Sequence, residues 1–271
     1  MLISVSHLDA DLRGNYVLSA LAAFWTANGI GRVSVGRDYR DTADLCILHH
    51  DLTTLEPADL PAPPEGVPVV NANCHDISKT RVSTLSLSAG EDWDGPVIVK
   101  TVLNHFGGPE RRRAARSRLG RLVRSLGARA WQHTRILPRS SYPVLPGIAA
   151  VPDWVWRDER LIVERFMPER DGDLYCLRGW LCFGDRGYGY RLFATDPMVK
   201  TGTMVRHEYL FEPPPEVAEW RGRFAVDFAK FDYVEHDGRA ILLDVNKTPT
   251  FAGPADTPRL RLLADGIGAF R

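Results

Sequence analysis

Cysteine is scarce in this 271-residue chain, and the four present, Cys46, Cys74, Cys176 and Cys182, form no C-x-x-C pair. They fall in segments that read as strands or apolar turns, which argues against a disulfide framework or a zinc site and for a reduced, cytoplasmic setting. Long apolar runs are missing too: nothing approaches the roughly 18 residues of a spanning helix, and the apolar stretch 1–7 has no basic flank, so neither membrane insertion nor export is expected. Charge of one sign is also absent, since 34 Lys and Arg balance 34 Asp and Glu. No global field draws anionic lipid or nucleic acid, and nucleic acid is not an expected partner. Internal repeats and low-complexity tails are absent. What remains is a globular sequence, 44% hydrophobic, able to bury one large core or two modest ones.

Strand and helix signals alternate over the first seventy residues: 2–6 as a strand, 15–27 as a helix with apolar residues three and four apart, then 32–36 and 45–49 as strands. That pattern predicts a small open α/β unit. A proline-rich stretch, 57–68, leads into Val69-Val70-Asn71 and places a boundary near residue 72. Beyond it, Asp76 is a candidate N-cap, and 96–100 is a compact β-branched strand ending in Lys100. Gly107 and Gly108 precede Pro109, which suits the first turn of a helix running to 129. In that helix Leu119, Leu122 and Leu126 make an apolar stripe and leave most of Arg111, Arg112, Arg113, Arg116, Arg118, Arg121, Arg124 and Arg129 outward. A solvated basic face is the ordinary reading; contact with an anionic substrate, a protein tail or RNA is the alternative. Strands follow at 161–166, 175–183, 188–194, 231–235 and 240–245, with a helix at 215–230 between the third and fourth.

The strongest local signal is the run from Phe231 to Asn246. Asp237-Gly238 supplies the positive backbone angles of a tight hairpin turn, and pairing across it brings Asp232 beside Asp244. Period-two alternation puts Asp244 and Asn246 on one face with Leu242. Two carboxylates and an amide at one sheet end suit a hard cation such as magnesium, which nucleotide phosphates and waters then complete. Polar residues ending a strand are the plain alternative.

These residues carry a resemblance. Carboxylate, glycine turn, apolar strand, then Asp244-Val245-Asn246-Lys247-Thr248-Pro249, looks like the metal-binding end of ATP-grasp enzymes. Val97-Ile98-Val99-Lys100 resembles the strand whose lysine contacts nucleotide phosphate, and Gly107-Gly108 the glycine loop that closes over it. Leu161 to Met167 resembles the hinge strand, which implies that Glu164 and the neighbouring groups of Arg165, Phe166 and Met167 meet the adenine edge. Glu169 and Asp173 are then candidates for the ribose hydroxyls, and Leu243 for the nucleotide pocket. Arg178 resembles the arginine facing the transferring phosphate, with Arg191, Arg206 and Lys200 in Val199-Lys200-Thr201-Gly202 as alternative phosphate ligands. The matches span roughly 70–250, in the family's order.

Each assignment has a plain competitor. Lys100 reads equally as a snorkelling strand-end lysine, Glu164 as a charged strand-edge residue, and Arg178 as half of a surface ion pair. His49, His50, His75, His105 and His207 show no ligand spacing, although His105 adjoins the glycine loop; Trp154 and Trp156 read as packing residues.

The resemblance implies an ATP-grasp fold of mixed α/β class, with residues 1–72 as a small open α/β domain and 73–271 as the grasp. Within the latter, a lid lobe is expected at about 95–167 and a metal-binding lobe at about 168–271. The implied activity is ATP- and magnesium-dependent joining of a small-molecule or peptide carboxylate to an amine through an acyl phosphate, with two magnesium ions at Asp232, Asp244 and Asn246. Lys100, Arg178 and Lys200 are the catalytic candidates. A kinase or other phosphotransferase on the same fold, and an ATP-binding module without turnover, are the alternatives. The sequence carries no signature of oligomeric state.

Overall fold

The apolar runs at the start of the chain become a parallel sheet. In the computed structural model, β1 (Leu2–Ser6), β2 (Arg32–Gly36), β3 (Leu45–Leu48) and β4 (Val69–Val70) lie in the order β2-β1-β3-β4. The model describes the chain apart from residues 13, 111–130, 139–140, 211, 252 and 254–256, with backbone alone at Thr201. Parallel strands are covered on their faces, which is why β1 and β3 read as continuous apolar runs. Helix α1 (Val17–Ala27) turns Val17, Leu18, Leu21 and Trp25 inward, the four-residue spacing of one helix face. It starts two residues later than the expected 15–27 because Tyr16 is extended and bridges Thr250, while Val17 N–H donates to the Pro249 carbonyl.

A second sheet, antiparallel, has the order β6-β5-β7, from β5 (Val97–Thr101), β6 (Val144–Leu145) and β7 (Leu161–Arg165). Val97, Val99 and Val163 form its core, against which Trp131, Trp154 and Trp156 pack from the single turns α3 (Trp131–Thr134) and α4 (Asp153–Trp156). The helix expected from Asp76 is one turn, α2 (Lys79–Val82): the Asp76 carboxylate accepts from Ser78 N–H and holds the preceding residues in a turn. The reading of 109–129 as a helix, with its leucine stripe and arginines, lies outside the described residues, apart from a helical start at 108–110.

The largest sheet has six strands: β8 (Glu169–Asp171), β9 (Leu174–Phe183), β10 (Arg186–Ala194), β11 (Arg206–Leu210), β12 (Phe228–His236) and β13 (Arg239–Asn246). Their order is β11-β10-β9-β12-β13, with β8 also on β9. The helix expected over 215–230 is shorter, α5 (Glu216–Phe224). Ala225 turns left-handed at φ 50°, and Phe228 already pairs with Phe183 in the sheet. Strands β8 and β11 and the C-terminal helix α6 (Pro258–Asp265) have no counterpart in the sequence reading.

The parallel sheet shares one core with the large sheet: Val5, Leu18, Trp25 and Ile47 pack with Leu181, Phe183 and Phe228, and with Leu260 and Leu263 of α6. The Trp25 indole N–H donates to the Ala264 carbonyl at 3.0 Å. A polar clamp completes the junction. Asn71, left-handed at φ 62° and 1% exposed, donates from its backbone to Asp227 Oδ2 (2.7 Å) and from Nδ2 to the Phe228 carbonyl (2.8 Å). Its Oδ1 accepts from the backbone N–H groups of both Asp227 and Phe228, each at 2.9 Å. Nearby, the fully buried His49 ring stacks on His7 and Phe228 and meets Tyr16 edge-on.

Two outcomes follow from this junction. Asn71→Ala strands buried donors and should lower unfolding free energy by about 3 kcal/mol in urea titration; a loss under about 1 kcal/mol would show the clamp to be dispensable. Burial first, then the neighbouring His7 and His50, holds the His49 imidazole well below its ordinary 6.5. Below that value the unfolded chain takes a proton that the folded one refuses, so stability falls as pH drops from about 7 to 5, by up to about 1.4 kcal/mol per pH unit. His49→Phe should flatten this slope, and an unchanged slope would assign it elsewhere.

Candidate active site

Between the three-stranded and six-stranded sheets lies a cleft with a cavity of about 280 Å³. One wall is Ile98, Lys100, Glu164, Arg165, Phe166 and Met167; the opposite wall includes Leu177, Asp232, Val234, Leu243 and Asp244. The lining thus mixes apolar side chains with a few charged groups, as ligand pockets commonly do.

Lys100 and Glu164 sit on neighbouring antiparallel strands, and Lys100 Nζ lies 2.5 Å from Glu164 Oε2. Glu164 is 1% exposed, and its Oε1 is buried without a hydrogen-bond partner. A buried acceptor in that state at the cleft wall has room for one more donor. Of the backbone groups expected at an adenine edge, Arg165 N–H donates to the Leu85 carbonyl, Phe166 N–H to the Pro96 carbonyl, and the Met167 carbonyl contacts His236 Nε2. All three residues line the cleft.

Asp232 and Asp244 are direct partners across β12 and β13, on either side of a turn in which Asp237 and Gly238 have φ of 52° and 72°. The arms of this hairpin are unequal by one residue, so the register shifts: Asp232 pairs with Asp244, whereas Tyr233 pairs with Leu242. Leu243 is the extra residue. The bulge corrects the expected alternation, because Leu242 points into the core at 2% exposure while Leu243 and Asp244 both line the cleft. Asn246, one register step further, does not line it; its Oδ1 accepts from Thr248 N–H at 2.9 Å and shapes the following loop.

Both carboxylates hold ammonium groups. Lys79, 3% exposed, donates to Asp244 Oδ1 at 2.9 Å and to Asn104 Oδ1 at 2.8 Å. Asn104 in turn donates from Nδ2 to the Val245 carbonyl and from its backbone to Thr53 Oγ1. Lys230 Nζ lies 2.8 Å from Asp232 Oδ2; burial opposes its charge, but Asp232 and Tyr190 outweigh burial and raise its pKa. Among the described residues no three His, Cys, Asp or Glu side chains gather in metal-ligand geometry. Asp232 and Asp244 together still suit a hard cation, with oxygens turned to the same cleft.

Other expected residues are placed elsewhere. Arg178 does not line the cleft: its Nε and Nη2 hold Glu169, and its Nη1 holds Glu235 at 2.9 Å. The same pairing, with Glu235 N–H donating to Glu169 Oε2, withdraws Glu169 from the expected ribose role. Arg191 and Arg206 join this network through Asp171 and Glu208. Lys200 is exposed beyond the cleft, where Met198 and Val199 line the edge. Gly107 is left-handed at φ 65°, but Gly108 is helical, so the glycine pair does not form one loop. The residues that reach the cleft here are His105 and Phe106, left-handed at φ 47° and 57°, with Phe106 stacked 4.0 Å from Tyr142. Lys79, Phe106 and Tyr142 are among the cleft residues that sequence reasoning missed, with Leu177, Met198 and Val234. Burial pushes the Cys176 thiol at the cleft edge up to about 11, which leaves it protonated and inert near neutrality.

A second cavity, about 540 Å³, opens at the carboxyl ends of the parallel strands, where His7 follows β1, Arg37 follows β2, and His50 and Asp51 follow β3. Ligands of open α/β sheets bind in this position. Thr248 Oγ1 donates to Asp51 Oδ1 at 3.1 Å, which ties the cavity wall to the loop beyond Asp244 and Asn246.

No family model matches the sequence, and no curated protein matches it either. Solved structures do resemble it. The macrocyclase MdnC from Microcystis aeruginosa, solved bound with precursor peptide MdnA, has a TM-score of 0.51 and 8% identity, covering 98% of this chain and 98% of that one. The ATP-grasp ligase PsnB, complexed with a minimal precursor, gives 0.48 and 11% over 100% of this chain and 99% of that one. A RimK domain ATP-grasp protein from Sphaerobacter thermophilus gives 0.47 and 13%, over 99% and 98%. At these identities the likeness concerns the fold alone.

The Lys100–Glu164 pair makes a stability test. Lys100→Met leaves a carboxylate buried without its cation and should cost about 3 kcal/mol in urea unfolding, most of which Lys100→Met with Glu164→Leu recovers. Equal losses in the single and double variants would mean that the pair is not coupled.

Proposed function

We propose that this chain, whose fold matches that of the macrocyclase MdnC and whose motifs resemble those of ATP-grasp enzymes, is an ATP-dependent ligase that joins a carboxylate to an amine. The observation that carries the proposal is the cleft itself: Lys100 and Glu164 on one wall and Asp232 and Asp244 on the other line one cavity, together with apolar side chains. In this reading the adenine ring lies among Ile98, Phe166, Met167 and Leu243, and its exocyclic amine donates to Glu164. The phosphates extend past Lys100, a point charge on a rigid strand. Residues 1–72 and 73–271 act as two units around a shared core, with the larger one holding the nucleotide.

The chemistry is a transfer of phosphate and then of acyl group. A carboxylate oxygen attacks the γ-phosphorus, the bond to ADP breaks, and an acyl phosphate forms; an amine then attacks the acyl carbon, phosphate leaves, and the amine loses a proton. Asp232 and Asp244 would hold magnesium, which would supply charge neutralisation on the phosphate oxygens. Lys100 and Lys79 add fixed positive charge, and the apolar walls exclude water that would hydrolyse the intermediate. The cavity at the ends of β1, β2 and β3 is the proposed place for the small-molecule or peptide substrate. Asp51 and Thr248 join it to the loop beyond the carboxylates, so an acceptor held there lies beside the reacting phosphate.

The test is ADP release in magnesium buffer with mixtures of carboxylates and amines. Acceptor-stimulated release is expected, falling at least about a hundredfold in Asp244→Ala. Hydroxylamine should intercept the acyl phosphate as a hydroxamate. A phosphorylated product without hydroxamate would assign a phosphotransferase instead, and nucleotide binding with no release above Asp244→Ala would assign a binding module.

A further inference from the structure

The two carboxylates of the cleft do not wait for cations empty-handed. Lys79 is almost wholly buried, and its ammonium is fixed by two oxygens, Asp244 Oδ1 at 2.9 Å and Asn104 Oδ1 at 2.8 Å. Asn104 is itself immobilised, 6% exposed and bonded to the Val245 carbonyl and to Thr53 Oγ1, so this lysine cannot swing away without breaking a chain of buried hydrogen bonds. The backbone adds a further tie, since Lys79 N–H donates to the Val102 carbonyl. On the other carboxylate, Lys230 holds Asp232 Oδ2. Asn246, the third expected ligand, turns its Oδ1 to Thr248 N–H instead of to the cleft.

We infer that Lys79 is a built-in cation at this site, and that the cleft binds its nucleotide with one divalent ion where the sequence resemblance implied two. The inference rests on the reading of the cleft as the ATP site. Two ammonium groups carry the same positive charge as one divalent ion, so one ion plus Lys79 and Lys230 balances the carboxylates and a triphosphate as two ions would over bare carboxylates. A second ion placed on Asp244 Oδ1 would share that oxygen with Lys79 and lie against its fixed ammonium, in a partly water-excluded site where like charges repel strongly. The ion that remains has Asp244 Oδ2, the Asp232 carboxylate and the phosphates for ligands. Lys79 then does the positioning work of the missing ion by holding Asp244 in place.

Manganese, which is paramagnetic and takes the same oxygen ligands, counts the ions directly. With a nonhydrolysable ATP analogue at saturation, electron paramagnetic resonance titration of the wild type should give one bound Mn²⁺ per chain with an isolated-ion spectrum. Lys79→Met should give two, broadened by spin coupling, and Lys79→Arg should stay at one. Two ions in the wild type would overturn the inference, as would a single ion in Lys79→Met that still binds the analogue. If Lys79→Met does not fold, the wild-type count alone decides. Fluorescence titration with the analogue separates the two layers: wild type that binds no nucleotide overturns the ATP reading and this inference with it, whereas nucleotide bound with two ions overturns the inference only.

Discussion

One wall of the cleft depends on two aspartates being forced side by side. Asp232 and Asp244 are far enough from their turn that small errors of register would part them, yet the left-handed Asp237-Gly238 corner and the single bulged residue bring them into direct pairing. A slip of one residue in such a hairpin would exchange core and cleft faces, placing Tyr233 or Val245 in the cleft and an aspartate in the core. The buried packing of Phe231, Tyr233, Leu242 and Val245 therefore fixes the register, and the register fixes the carboxylates.

The second constraint is that the carboxylates form one wall only. Their opposite wall comes from a separate three-stranded sheet, where Lys100 and Glu164 are paired in a water-poor environment. Cation, carboxylate and orphaned acceptor are thereby held on rigid strands, which favours preorganised electrostatics over groups gathered by a ligand. Lys79 and Asn104 link the two walls: one short turn of helix reaches from beside β5 to β13 and bonds to it. The same segment touches Thr53 through Asn104, so the parallel sheet, the cleft and the carboxylates belong to one hydrogen-bonded assembly.

Much of this was legible in the sequence where the signal is local. The hairpin showed through its Asp-Gly turn, and β5 and β7 through short β-branched or aliphatic runs ending in Lys100 and Arg165. The resemblance located both walls of the cleft for the same reason. What stayed hidden depends on distance or on counting. Lys79 sits in an unremarked Ser-Lys-Thr-Arg stretch, and its partner Asp244 is 165 residues away. The bulge at Leu243 is a difference of one residue between two arms, and period-two reasoning passes over it. For Arg178 the ion-pair alternative is the one the structure displays, and its partners were hidden because Glu169 and Glu235 come from other strands. The end of the helix at Phe224 depends on Ala225 adopting a left-handed backbone, for which alanine gives no warning.

ATP is proposed to bind in the space between these two sheets, and a crystal structure with a nonhydrolysable ATP analogue and magnesium is the decisive experiment. The adenine is expected among Ile98, Phe166, Met167 and Leu243, the phosphates beside Lys100, and the metal on Asp232 and Asp244. Nucleotide seated instead in the cavity at the ends of β1, β2 and β3, or bound with its phosphates away from both aspartates, would contradict it.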